Sequence, residues 1–234
     1  MAQTARTRAR AAVIEEIKAA ARAQLAAEGA AALSVRHVAR QLGMSSSGVY
    51  RYFASRDELL TALIIDAYNA MGAAVEEADS KIGRDDLGGR WWAVSSTVRS
   101  WAMAHPHEYG LVFGSPVPGY DAPQDTVLPA TRVPITLASI LRDAWDADRV
   151  EAVPGTQASG VLDPSLKHGA TPLQGLPEDV VVRGILAWVE LFGLVSFELF
   201  GHLVGSVADP DAFFRSASER IATSIGITRR EPGG

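Results

Sequence analysis

Residues 33–60 read LSVRHVARQLGMSSSGVYRYFASRDELL, and this stretch decides how the N-terminal part of the chain folds. Apolar residues recur at helical spacing from Val35 to Leu42, directly after Ser34, which is a good N-cap. Gly43 interrupts the pattern and allows a sharp turn, and the serines at 45–47 can cap a second short helix. Two short helices joined by a tight turn have the dimensions of a helix-turn-helix, whose second helix fits a DNA major groove about 12 Å wide.

The flanking residues predict two longer helices around this pair. Apolar residues from Val13 to Leu25 fall on one face of a preceding helix, and Gly29 is suited to end it. Ser55 followed by Glu58 fits a capping box, which opens a following helix to about Lys81. The N-terminal part is therefore predicted to be a three-helix head followed by a long connecting helix.

The charge of the chain is distributed unevenly. The whole chain has a formal net charge of -5, but residues 1–65 carry nine Lys+Arg against five Asp+Glu. The remaining residues carry 13 basic and 22 acidic side chains. This asymmetry is expected when a small basic head binds phosphates and the larger remainder of the chain has a different role.

The second short helix and its neighbours carry the side chains expected to meet DNA. Small residues let the backbone approach the duplex, hydroxyls bond phosphates or base edges, and longer tyrosine and arginine side chains add donors. The predicted DNA-binding residues are Ser34, Arg36, Ser45, Ser46, Ser47, Gly48, Tyr50, Arg51, Tyr52 and Arg56. Because Gly48 offers no side chain for base readout, we expect Arg36 and Arg51 to carry more of the specificity.

The rest of the chain also has helical periodicity, with no clear strand pattern. The fold class is therefore predicted to be all-α with about nine helices, divided into a helix-turn-helix domain at 1–56 and a helical effector-binding and dimerisation domain at 57–234. Residues 149–176 lack periodicity and predict either a long loop or a mobile segment. A helix from Pro177 to about Val207 is apolar nearly all round, and Pro210 opens a last amphipathic helix. These last two helices are predicted to form a four-helix interface in a homodimer.

Aromatic residues on the C-terminal helices suggest a cavity for a small apolar effector. The predicted ligand-binding residues are Trp101, His105, Tyr109, Phe113, Trp145, Trp188 and Phe192. No cofactor and no metal site is expected. The chain has no cysteine, which excludes disulfides and thiolate ligands and fits a reducing cytoplasm. No stretch of about 18 apolar residues lacks a charge, so we expect no membrane span.

The run ALSVRHVARQLGMSSSGVYRYFASRDELLTAL resembles the N-terminal DNA-binding domain of the TetR/AcrR-type regulators, over roughly residues 10–65. Tyr52 stands where many members have His, and Arg56 where many have Lys. More faintly, residues 84–190 resemble the WHG effector domain of one TetR subgroup, through Trp101, the His105-Pro106 pair and Tyr109.

The resemblance implies an all-helical homodimer that binds a palindromic DNA operator and is released when a small molecule binds its C-terminal domain. It implies a cytoplasmic regulator without enzymatic activity, most simply a repressor, although an activator would share the same sequence features. The alternative is a helical small-molecule-binding protein or enzyme whose N-terminal helices are structural and do not bind DNA.

Overall fold

The computed structural model describes residues 5–150, 160–167 and 171–227, and this part of the chain is helical without any strand. Its α-helices are Ala5–Glu28 (α1), Val35–Gln41 (α2), Ser46–Tyr50 (α3), Arg56–Ser80 (α4), Leu87–Ala104 (α5), Pro106–Phe113 (α6), Val127–Asp146 (α7), Glu178–Leu199 (α8) and Pro210–Ser224 (α9). The prediction of an all-α fold with about nine helices is confirmed. Of the loop predicted at 149–176, residues 151–159 and 168–170 lie outside the described residues.

Local capping chemistry sets the helix ends in the N-terminal head. Gly43 has a φ of 63°, and the backbone N–H of Met44 donates to the carbonyl of Ala39 at 2.9 Å, which closes α2 with a Schellman motif. The hydroxyl of Ser55 accepts a bond from the backbone N–H of Glu58 at 3.0 Å, as half of the predicted capping box. The Glu58 carboxylate accepts from the N–H of Ala54 instead of from Ser55, so it caps one residue further back.

The prediction that the apolar C-terminal helix reaches Val207 is wrong, because α8 ends at Leu199. Gly201 adopts a φ of 78°, a left-handed conformation that stops the helix, and the N–H of His202 donates to the carbonyl of Phe197 at 2.9 Å. Gly205 follows with a φ of 81°. The two glycines therefore turn the chain towards α9 and do not line a helix.

The chain divides into two compact units, and the longest helix contributes to both. One unit contains the residues up to Asn69 together with His105–Pro129, and the other contains Ala70–Ala104 and the residues from Ala130 onwards. These units differ from the predicted division at 56/57, because α6 and the loop after it pack onto α1 and the first half of α4. The predicted functional division stays a prediction.

The core of the first unit is built by the helix-turn-helix and the helices around it. Val38 and Val49 are fully buried and pack α2 and α3 against Leu59 and Leu63 of α4. Burying one such side chain contributes about 1.5–3 kcal/mol to folding. The hydroxyl of Thr61 also lies 2.8 Å from the Tyr120 hydroxyl, which attaches the loop after α6 to α4.

The second unit is held together by apolar packing of α5 with α8 and α9 and by buried polar links. The indole Nε1 of Trp91 donates to the carbonyl and the hydroxyl of Ser218, at 2.9 and 3.0 Å. The Arg99 guanidinium donates to both carboxylate oxygens of Glu198, at 2.8 and 2.6 Å, and lies 2.7 Å from Asp211. These contacts tie α5 to the end of α8 and the start of α9.

A buried charge cluster joins three helices of the second unit. The side chain of Arg90 is only 7% exposed and donates to both oxygens of Asp79 at 2.8 Å and to Asp143 at 2.6 Å. The hydrogen bond to Asp79 is the main reason that the pKa of Arg90 is raised, although burial opposes it. Because a buried charge is costly without its partners, this cluster fixes the end of α4 against α5 and α7.

Two of the described helices, α4 and α8, are long and apolar enough to cross a membrane by length and composition alone. Both also pack inside the protein: Leu59 and Leu60 of α4 are fully buried, and Leu191 of α8 is fully buried. Core helices of proteins that do not span membranes have the same composition, so this similarity is weak evidence for a membrane span.

Candidate functional site

The two short helices of the head form a helix-turn-helix with one buried and one exposed side. Both α2 and α3 turn their apolar residues inwards, and α2 also packs on α1. The turn at Gly43 needs a left-handed residue, yet a Cβ at this position would meet nothing within 4 Å. The conformational freedom of glycine is therefore what the turn uses, and space is not the constraint.

A row of polar side chains lies on the exposed side of this motif. Arg36 and Arg40 stand one turn apart on α2, and Tyr50, which is 43% exposed, and Arg51 stand at the end of α3. Within the described residues none of the three arginines forms an ion pair or a hydrogen bond through its side chain. Arg40 was not among the predicted DNA-binding residues, although its spacing of four from Arg36 indicates the same helix face.

The serines before α3 organise the start of that helix. The Ser45 hydroxyl accepts a bond from the backbone N–H of Gly48 at 3.1 Å and lies 3.1 Å from the Ser47 hydroxyl. Ser45 and Ser47 are exposed, whereas Ser46 is half-buried. Gly48, which is among the predicted DNA-binding residues, is buried, because the cap folds over it, and a Cβ there would meet the Ser45 hydroxyl at 3.2 Å. Its contact with DNA stays a prediction.

A buried glutamine of α1 positions the start of α2. Gln24 is 2% exposed, and its Oε1 accepts a bond from the backbone N–H of Ser34 at 3.1 Å. Its Nε2 donates to the carbonyl of Ala32 and to the Glu28 carboxylate, both at 2.9 Å. Ser34 itself makes no side-chain cap bond. Gln24 was not among the predicted site residues, although a polar residue next to Leu25 on the buried face of the first helix indicates a structural role.

Arg56 has a different environment from the one expected for a DNA contact. Its half-buried guanidinium donates to the backbone carbonyls of Leu33 at 3.0 Å, Ala30 at 3.1 Å and Ala31 at 3.3 Å. These bonds fix the segment between α1 and α2, so the arrangement favours a positioning role. The predicted contact of Arg56 with DNA stays a prediction.

Tyr52, another of the predicted DNA-binding residues, is only partly exposed. Its ring packs against the head core, and the guanidinium carbon of Arg10 lies 4.9 Å from the ring centroid. A cation held over an aromatic face in this way is attracted by the ring quadrupole. The contact connects the basic N-terminal turns of α1 to the end of the helix-turn-helix.

The structure distributes the seven predicted ligand-binding residues over both units. His105, Tyr109 and Phe113 belong to the first unit, where Tyr109 is fully buried and its ring centroid lies 5.0 Å from that of Phe113. The other four belong to the second unit, and they are Trp101, Trp145, Trp188 and Phe192. Trp188 lines the cavity described next. An effector contact by any of the seven residues stays a prediction.

An apolar cavity of about 230 Å³ lies within the second unit. One wall is the α7 stripe Pro134, Leu137, Ala138 and Leu141, and the facing wall is the α8 stripe Val181, Gly184, Ile185 and Trp188. Each stripe has the spacing i, i+3, i+4, i+7 of one helix face. The sequence therefore predicts an apolar face on each of the two helices, but it does not predict that space remains between them.

A second apolar feature of this unit is an open groove on α8 and α9. Phe197 of α8 is 56% exposed and Phe213 of α9 is 41% exposed, and both line the groove with the small residues Gly193 and Ala217. Leu186 and Val189 extend the exposed apolar face along α8, where they are 52% and 56% exposed. Large apolar side chains that are exposed together indicate an interaction surface.

Comparison with known proteins gives matches along most of the chain. Residues 17–63 match the bacterial regulatory proteins of the tetR family, and residues 91–221 match the tetracyclin repressor-like C-terminal domain. An HTH-type transcriptional regulator of Mycobacterium tuberculosis is 36% identical over 244 residues, which cover 96% of this chain and 98% of the relative.

Solved structures also match this chain along most of its length. The regulatory protein SCO4313 is 33% identical with a TM-score of 0.74, and the match covers 94% of this chain and 100% of that protein. A protein from Rhodococcus sp. RHA1 is 21% identical with a TM-score of 0.70, over 91% of this chain and 95% of its own, which shows a shared fold. The resemblance to the WHG subgroup is not tested by these matches and stays a prediction.

Proposed function

Because the chain belongs to the TetR family of bacterial regulators, we propose that it is a repressor that binds a palindromic operator as a homodimer and is released by a small molecule. Members of this family bind operator DNA and dimerise, and the chain is a ligand-responsive transcriptional regulator and not an enzyme. We propose four properties beyond this: repression, release by an effector, dimerisation through a specific interface and a cytoplasmic location.

The observation that carries the proposal is the exposed row on the helix-turn-helix. Arg36, Arg40 and Arg51 have no ion-pair partner in the described part of the chain and are available to phosphates or base edges. Tyr50 adds an exposed hydroxyl beside them. Ser45 and Ser47 are small enough to let the α3 backbone approach the duplex.

The exposed groove on α8 and α9 supports the dimer. Its apolar centre contains Phe197 and Phe213, and its lining includes one acid and one base, Glu190 and Arg220. A patch that carries both charges around an apolar centre can be self-complementary, as a two-fold interface requires. A two-fold dimer would set two recognition helices about 34–36 Å apart, the spacing of successive major grooves on one side of the duplex.

The DNA part of the proposal is tested by a mobility-shift titration with DNA flanking the chain's own gene. We expect Arg36→Ala and Tyr50→Phe each to weaken the shift strongly while the helical circular-dichroism signal stays unchanged. Arg149→Ala is the matched control, since Arg149 is an exposed arginine of the other unit. A protein that gives no shift, or variants that bind as tightly as the parent, would contradict the proposal.

The dimer part is tested by sedimentation of a groove variant. Phe197→Glu places a charge in the apolar centre of the groove and should shift the protein towards the monomer, with weaker operator binding as a result. Val161→Glu is the control, because Val161 is 66% exposed and does not line the groove. A Phe197→Glu protein that sediments as the parent does would refute this interface.

A further inference from the structure

We propose that the cavity between α7 and α8 binds an uncharged, mainly apolar molecule of about nine non-hydrogen atoms that carries one hydrogen-bond acceptor. The inference rests on the proposed function in taking this cavity as the effector site, and it adds the chemical class of the effector. The size of the cavity, the character of its lining and one buried polar atom point to this class.

The size of the cavity sets the size of the ligand. Its volume is about 230 Å³. An apolar cavity of about 150 Å³ is known to hold benzene, which scales to about nine non-hydrogen atoms here. A single aromatic ring with a short substituent fits this volume, whereas a long acyl chain or a fused polycyclic molecule does not.

The lining excludes a charged ligand. The described residues around the cavity are aliphatic, proline, glycine or tryptophan, and none of them is acidic, basic or histidine. A carboxylate or an ammonium group without a partner in such a site would cost several kcal/mol or more of desolvation. Arg142 follows the lining residue Leu141, but its guanidinium donates to the backbone carbonyls of Pro172, at 2.9 Å, and Gln174. Those bonds hold the loop that carries Leu173 against the cavity.

The polar side-chain atoms of the described lining are the two indole nitrogens. The Nε1 of Trp91 is engaged with Ser218 at 2.9 and 3.0 Å. The Nε1 of Trp188 is buried and has no hydrogen-bond partner within the described residues. A buried donor without a partner is unfavourable, so an acceptor on the ligand would supply the hydrogen bond that this nitrogen lacks.

The burial of this donor implies a small rearrangement on binding. Because the Trp188 Nε1 is buried, the indole ring must turn or a neighbouring side chain must shift for an acceptor to reach it. The space beside α8 is narrow near Gly184, where a Cβ would meet the Leu141 side chain at 2.5 Å. We therefore expect the fluorescence of Trp188 to change when the ligand binds.

The test uses three probes of nearly the same shape and the same number of non-hydrogen atoms: acetophenone, α-methylstyrene and benzoate. They carry a carbonyl, the isosteric alkene and a carboxylate. Their affinities for the purified full chain are measured by titration calorimetry without DNA. We expect acetophenone to bind about two- to tenfold more tightly than α-methylstyrene, which is the gain from one hydrogen bond, and benzoate to bind far more weakly than both.

Variants assign the binding to this cavity and to the indole donor. Trp188→Phe should remove the preference for acetophenone over α-methylstyrene while both still bind. Ala138→Leu fills the cavity from α7 and should abolish binding, and Leu173→Trp fills it from the loop side if the first variant does not fold. Ile135→Leu is the control, because Ile135 lies on α7, is 46% exposed and does not line the cavity.

Several results would overturn the inference. It fails if benzoate binds as well as acetophenone, if the alkene and the ketone bind equally to the parent protein, if filling the cavity leaves binding intact, or if no probe binds. None of these measurements involves DNA, so a failed operator shift would refute the proposed function without deciding the ligand class. Conversely, an operator-binding protein that prefers benzoate would refute the ligand class alone.

Discussion

The charge on the head should determine how operator binding depends on salt, and Arg36→Ala is the perturbation that tests this. Arg36 is exposed on α2 and has no ion pair in the described part of the chain. Its removal should therefore change contacts with phosphate without disturbing the fold. The variant should bind more weakly at every salt concentration, and its affinity should also depend less steeply on salt.

The size of the effect follows from the number of exposed arginines. Each head presents Arg36, Arg40 and Arg51, so a dimer neutralises about six phosphates, and the slope of log affinity against log salt is about −5.4. Raising the salt concentration from about 50 to 200 mM then lowers the affinity about 10³-fold. Without Arg36 the dimer neutralises about four phosphates, and the slope of log affinity against log salt becomes about −3.6. The affinity then falls only about 10²-fold over the same range of salt concentration.

The assay is fluorescence anisotropy of a labelled operator fragment at four or five salt concentrations, for the parent, Arg36→Ala and the control Arg149→Ala. We expect the control to keep the parent slope. An unchanged slope for Arg36→Ala, or an equal flattening in the control, would refute the reasoning that these head arginines neutralise phosphates.

Three further predictions concern residues that hold the fold around the two sites. Gln24→Leu leaves the backbone N–H of Ser34 without its acceptor and should cost about 1–3 kcal/mol in urea unfolding, with weaker operator binding; Gln24→Glu keeps the acceptor but buries a carboxylate against the Glu28 carboxylate and the Ala32 carbonyl, so it should cost at least as much. Gly43→Ala should cost about 1–2 kcal/mol through the left-handed backbone alone, and Gly43→Asn less; equal losses would contradict this explanation. Arg90→Met leaves the buried Asp79 carboxylate without its ion-pair partner and Asp143 with Arg84 alone, and should cost about 3–5 kcal/mol, seen as a melting temperature lower by about 6–20 °C. Arg84→Ala should leave the melting temperature almost unchanged, because the Arg84 side chain is 81% exposed.

The head was predictable because its determinants act over short distances in sequence. Each of three determinants acts within about five residues along the chain: the N-cap serine at 45, the left-handed glycine at 43 and the capping serine at 55. Such local patterns can be recognised in the sequence. The end of α8 was predicted wrongly, because the apolar pattern continues past Leu199 while Gly201 turns the backbone. The attachment of α6 to the first unit depends on contacts such as Thr61 with Tyr120, which are far apart in sequence.

The candidate sites were predictable only in part for a similar reason. Periodicity indicates which face of a helix is apolar, but it does not indicate whether two facing stripes fill the space between them. The cavity beside Trp188 is therefore a property of the packing. The role of Arg56 was likewise hidden, because an arginine that bonds backbone carbonyls has the same sequence signature as one that meets DNA. Gln24 differs, since a polar residue on the buried face of α1 already indicates a structural role.

A nuclease footprint of the purified protein on DNA flanking its own gene tests most directly whether the helix-turn-helix reads an operator. We expect a palindromic protected region with two half-sites whose centres lie about one helical turn apart or a multiple of it. We also expect Arg36→Ala to weaken the protection and Arg149→Ala to leave it unchanged. No protection on this DNA, or protection that is indifferent to Arg36, would contradict the claim that the exposed face of the helix-turn-helix reads an operator.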